Sequence, residues 1–139
     1  MEAYEFQMKR AFLIRLDYGK DIIVQLEDFL SENGIKSAFV AGIGAVKTAE
    51  IGYYDQLRKE YIKKRFDERA EILSLNGNIS LLDGRIFPHI HVVLGYDNRV
   101  YGGHLFSAEV FACELFVVEL AGETPERTRD EQTGLSLWG

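Results

Sequence analysis

Apolar and polar residues alternate along most of this chain, and in one stretch only does their spacing widen to that of a helix. From Glu5 to Asp17, Phe12, Ile14 and Leu16 alternate with Leu13 and Arg15 at the two-residue period of a strand. Tyr18-Gly19-Lys20 ends the run. Asp21 is then placed to cap a helix whose Ile22, Ile23, Leu26, Phe29 and Leu30 fall on one stripe, and Asn33-Gly34 supplies its stop. Lys36 to Ala41 and Thr48 to Tyr54 read as two further strands. The glycines of Gly42-Ile43-Gly44 between them lack the third glycine and following helix of a dinucleotide-binding loop, so they predict a bend or bulge. Ala70 to Asn78 and Ile79 to Leu82 lead into Asp83-Gly84, a hairpin turn that delivers the chain to the stretch from Arg85 to Phe106. Phe111 to Leu120 is nearly all apolar and is expected to be a strand covered on both faces. The pattern predicts an α+β fold, a mainly antiparallel β-sheet packed against one principal helix, in a single domain over residues 1–139.

Composition narrows this picture without changing it. With 47% apolar and 27% charged residues the chain can bury a core unaided, and its one cysteine, Cys113, is expected to be a buried thiol rather than part of a disulfide framework. A formal net charge of −6 argues against general polyanion binding; the basic spot is Gln56 to Arg65, best read as a solvated strand face. No apolar run reaches the roughly 18 residues that span a membrane, and no leader-like segment opens the sequence, so a cytoplasmic protein with no membrane partner is expected.

The candidate chemistry lies between Arg85 and Phe106, which holds all 3 histidines. His89 and His91 are two apart in a run rich in β-branched residues, so both imidazoles face the same way. If Asp97 and Asn98 form a two-residue hairpin turn, Tyr96 pairs with Arg99 and His104 falls opposite His91, with β-carbons about 5 Å apart and His89 as the diagonal neighbour. Three imidazoles with an open fourth position are what catalytic zinc sites use. The plain alternative is three unrelated histidines satisfied by backbone groups. Gly102 and Gly103 suit a backbone that bends or approaches another closely, and Pro88 is expected to mark a local irregularity beside the site.

Glu114 stands among the apolar Ala112, Phe116 and Val118, so a buried carboxylate in need of a partner is expected there. It would serve as a proton acceptor that orients an imidazole or a metal-bound water, or else pair with an arginine such as Arg85. The tail ends in Leu135, Leu137 and Trp138, too apolar to hang free, and is expected to dock on its own domain or on a neighbouring subunit.

In combination, Ala41-Gly42-Ile43-Gly44-Ala45, Glu71 to Gly77, Pro88-His89-Ile90-His91, Tyr101-Gly102-Gly103-His104-Leu105 and Thr133-Gly134-Leu135 resemble the PPC domain family (DUF296), shared by plants and prokaryotes. The resemblance implies an antiparallel sheet with a helix, a homotrimer, and a divalent metal on His89, His91 and His104. It also brings a DNA-binding label, although the Arg-Gly-Arg-Pro segment that enters the minor groove in the plant proteins is missing here. Three functions compete: a zinc protein of unassigned activity, whose catalytic form would be a hydrolase or lyase with Glu114 as proton acceptor; a DNA-binding or chromatin-associated module; and a structural scaffold. Closed symmetry with the histidines near subunit boundaries completes the expectation.

Overall fold

Asp21 has an extended backbone (φ −75°, ψ 137°) and its carboxylate accepts a hydrogen bond from the Val24 N–H at 3.0 Å, so the helix α1 starts at Ile22 and runs to Glu32. Gly34, with φ at +66°, reverses the chain after it. The computed structural model describes residues 1–139 and, besides this helix, holds eight strands: β1 (Gln7–Arg15), β2 (Ala38–Asp55), β3 (Glu60–Phe66), β4 (Ala70–Leu82), β5 (Arg85–Tyr96), β6 (Arg99–Ala121), β7 (Glu126–Arg129) and β8 (Ser136–Trp138). The fold is mostly antiparallel sheet with one short helix, compatible with the α+β expectation.

The sheet does more than present one face to the helix. β2 pairs with both β6 and β4, β4 with β5, and β5 with β6, so four long strands form a closed circuit. Closure needs strong bending, and bulges supply it: the β2–β6 register shifts around Val46 and again at Ile51, and the β2–β4 register shifts between Gly42 and Gly44. Gly44 has φ +148°, and a Cβ there would lie 2.2 Å from the Ala112 carbonyl oxygen. Inside, Ile22, Leu26 and Leu30 of α1 are buried with Ile90, Leu94, Leu105 and Leu115 of β5 and β6. The Asp21 carboxylate also accepts from the Ala108 N–H at 2.8 Å, which fixes the helix start to β6.

Several sequence expectations change in detail. The two strands expected on either side of Gly42 and Gly44 are one strand, β2, because a bulge bends the backbone without ending its pairing. Residues 70–82 are likewise one strand, β4. Pairing between β4 and β5 runs through Pro88 without a shift: β6 joins β5 only from His91 onward, so Pro88 lies where β5 has a partner on one side. The Phe111–Leu120 stretch is covered on one face only in the single chain, with Cys113, Leu115, Val117 and Glu119 inside and Phe111, Glu114 and Phe116 outside. The tail docks as expected on its own domain, β7 running parallel to β4 at Leu81 and Leu82 with β8 antiparallel to β7.

One close approach bears directly on the histidine strand. Gly77 pairs with Ile90, and a Cβ on it would meet the His89 carbonyl oxygen at 2.0 Å and the Ile90 Cδ1 at 2.8 Å. Gly77→Ala is therefore expected to force β4 and β5 apart at His89 and cost about 1–3 kcal/mol, measured by urea unfolding. An unchanged midpoint would show that the strands yield freely there.

Candidate metal centre

Asp97 and Asn98 both have positive φ, 44° and 60°, the requirement of a type I′ hairpin turn. The turn sets Tyr96 opposite Arg99 and, counting outward, His91 opposite His104. On β5 Ile90, Val92 and Leu94 are buried in the core and Pro88 is buried as well, so alternation sends His89 and His91 to the other face. The rings meet there: centroids are 5.2 Å apart for His89 and His91, 5.3 Å for His89 and His104, and 5.6 Å for His91 and His104. One ring nitrogen from each can be chosen so that all lie within 4.8 Å of one another. Three nitrogens on one tetrahedral zinc ion would be separated by about 3.4 Å.

The neighbours make a half-enclosed chamber of about 360 Å³. Tyr61 and Phe106 pack on His104, with centroids 5.2 and 4.6 Å away. Gly52 faces His104 across the β2–β6 ladder, and a Cβ on Gly103 would lie 2.4 Å from the Gly52 carbonyl oxygen, so small residues let the backbones close beneath the site. Phe87, Tyr54 and the tail residues Leu135 to Leu137 line the remainder, and no acidic side chain does.

Burial, reinforced by Arg127 and His91, holds His89 down to about 4. Burial also brings His104 to about 4, helped by the two other imidazoles, Lys63 and Arg127. Both rings are thus neutral at pH 7, the form that ligates metal. The Nδ1 of His104 is buried with no hydrogen-bond partner, and an ion bound directly at this nitrogen would satisfy its lone pair. Donor type, separation, protonation and this orphaned atom all fit a divalent metal.

Glu114 is elsewhere. It is exposed, opposite Arg15 and Ile43 on neighbouring strands, and borders an apolar concavity with Leu13, Leu73 and Phe116 rather than the histidine chamber. The expected burial fails because Cys113, Leu115 and Val117 take the inward positions of β6. The buried carboxylate of that strand is Glu119, held by Arg10 and, at 3.4 Å, by Lys9. The basic stretch is β3 and the turn before it, and most of its charge is met locally: Arg58 lies 3.9 Å from Asp55 and Glu60, Lys63 is 3.3 Å from Glu50, and Arg65 is 2.6 Å from Asp67.

The residue that sequence reasoning missed is Arg127, 4% exposed and a wall of the chamber. Its Nε donates to Ser80 Oγ at 2.8 Å, Nη1 to the Ser136 carbonyl at 3.0 Å and Nη2 to Asn78 Oδ1 at 3.1 Å. Nη2 also lies 3.4 Å from His89 Nδ1. The guanidinium sits over the rings of Phe87 and Trp138, at 5.2 and 4.6 Å from their centroids. In the sequence Arg127 is one charge in a polar tail beside Arg129, and only the apolar residues near the terminus hinted that this segment docks.

Comparison with known proteins agrees with this architecture. Among solved structures, a metal-containing protein from Archaeoglobus fulgidus superposes with a TM-score of 0.98 at 62% identity, covering 99% of each chain. A plant- and prokaryote-conserved protein from Pyrococcus horikoshii follows at 0.94 and 39% identity, over 100% of this chain and 97% of that one. A candidate DNA-binding protein from Bacteroides thetaiotaomicron gives 0.86 at 30%, over 96% of each. No curated protein matches. The sequence model of the Plants and Prokaryotes Conserved (PCC) domain matches residues 3–121, and the chain belongs to that family.

Proposed function

We propose that this protein is a metal protein whose His89, His91 and His104 hold one divalent ion per chain, zinc by preference, with a coordination position open to the chamber. The observation that carries the reading is the meeting of three imidazoles at the edge of an aromatic chamber, with His104 Nδ1 left unpartnered. All-imidazole donors suit zinc better than hard oxygen-seeking cations. The Archaeoglobus relative's description as metal-containing supports it. Zinc so bound supplies Lewis acidity and brings the pKa of bound water from 15.7 to about 7, the chemistry of hydrolases and lyases. The chain's own residues keep His89 and His104 neutral, exclude bulk water with Tyr61, Phe87 and Phe106, and leave one side open. Within one chain Glu114 borders a different concavity from the chamber, so the chamber's own lining supplies no carboxylate base.

We also propose a closed trimer, the number three resting on the family resemblance. Leu13, Phe39, Ile43, Leu73 and Phe116 are 46–76% exposed on adjoining strands, a contiguous apolar face that a second chain would cover. Asn76 borders this face and pairs directly with His91, which sets the metal site beside the boundary. Duplex DNA binding is the second reading, favoured by the description of the Bacteroides relative. No helix of the chain is long and apolar enough to cross a membrane.

Elemental analysis of protein purified without a histidine tag should find about one metal per chain, reduced to a trace in His91→Ala; a metal-free wild type under replete conditions would sink the reading. The pH dependence has a definite sign. Because His89 and His104 have folded-state values near 4 against the ordinary 6.5, the unfolded chain binds more protons between those values. The metal-free protein should lose stability as pH falls from about 6.5 to about 4 and be insensitive to these groups above it, as read by melting temperature. Light scattering should give a trimer, and Leu13→Glu combined with Phe116→Glu a monomer; a monomeric wild type at micromolar concentration contradicts the assembly. Random duplex titrated at two salt concentrations should show weak binding with little salt slope, since carboxylates on and around β3 meet most of its charge, whereas a steep slope would restore the DNA reading.

A further inference from the structure

Arg127 is a buried cation with no carboxylate near it. None of the chain's ion pairs includes it, its acceptors Ser80, Ser136 and Asn78 are neutral, and the chamber it faces has no acidic side chain, although the chain as a whole carries a net charge of −6. A guanidinium has five N–H groups and cannot accept a hydrogen bond. Four are accounted for, one of them only by the 3.4 Å approach of Nη2 to His89 Nδ1, and one on Nη1 is unassigned.

Metal binding changes that count. A neutral imidazole has one lone pair and one N–H. If His89 ligates through Nδ1, its lone pair is spent on the metal; if it ligates through Nε2, its proton moves to Nδ1. Either way His89 ceases to accept from Arg127. A loaded centre would therefore free two guanidinium N–H groups, one on each terminal nitrogen, on a side chain that lines the chamber beside a divalent charge.

From this we infer that the chamber binds the carboxylate of a small organic acid, with Arg127 as its anchor and the rest of the ligand turned toward the histidine centre. The inference rests on the metal reading for the release of the second N–H. Two N–H groups on a planar guanidinium match the two oxygens of a planar carboxylate. The chamber's volume of about 360 Å³ limits the acid to a small one, and Tyr54, Tyr61 and Phe87 give it an apolar surround.

Trp138 is the chain's 1 tryptophan and stacks on Arg127, so its fluorescence reports directly on occupancy of this site. Zinc-loaded and metal-free wild type would be titrated with propionate, its neutral analogue propionamide and inorganic phosphate, with zinc uptake measured separately. Saturable propionate binding is expected in the loaded protein, at least about tenfold tighter than propionamide or phosphate and weakened by about tenfold or more in Arg127→Lys. Circular dichroism would establish that the variant is folded; if it is not, the propionate and propionamide titrations of the wild type decide alone. Zinc uptake without a propionate response overturns this inference and leaves the metal centre standing. Propionate binding that depends on Arg127 in a protein that takes up no zinc supports the anchor and overturns the metal reading instead. Phosphate binding tighter than propionate overturns the carboxylate assignment.

Discussion

The register of one hairpin decides whether this protein has a centre at all. Asp97 and Asn98 accept positive φ, which closes a two-residue turn and places His104 opposite His91. A slip of one residue would turn His104 toward the core and Leu105 outward, because side chains alternate along a strand. The apolar set on β5 (Ile90, Val92, Leu94) and the matching Leu105 on β6 oppose such a slip from the other side of the sheet. Core and site are thus two faces of one register, and what stabilises the fold also orients the imidazoles.

Closure of the sheet completes the surroundings. Because β2 reaches from β4 to β6 and on to β3, it carries Tyr61 of its hairpin partner over His104, and glycines at 52 and 103 allow the backbones to meet there. The tail closes another side through β7, whose Arg127 reaches under the site to Ser80 and Asn78 of β4. The result is a chamber of neutral donors and one cation. Its electrostatics favour imidazoles without protons and incoming groups with negative charge.

Short-range chemistry was legible in the sequence. Asp21 caps the helix, Gly34 ends it, Asp83-Gly84 turns between β4 and β5, and the histidine register follows from counting outward from one turn. What could not be read depended on long-range pairing. A bulged strand and two separate strands look alike locally, which hid the continuity of β2 and β4. In Phe111–Leu120 apolar residues occupy both faces, so alternation alone does not say which is inside, and Glu114 lies on the outer one. Arg127 owes its importance to partners 38 and more residues away, at His89, Ser80 and Asn78, and no local pattern marks it.

The central claim is that three imidazoles and no other protein donors hold the ion. X-ray absorption spectroscopy at the zinc edge of reconstituted protein tests it directly. Three imidazole nitrogens at about 2.0–2.1 Å, with the remaining coordination from light solvent atoms, is the predicted result. A sulfur scatterer, or fewer than three imidazoles per zinc, would contradict it.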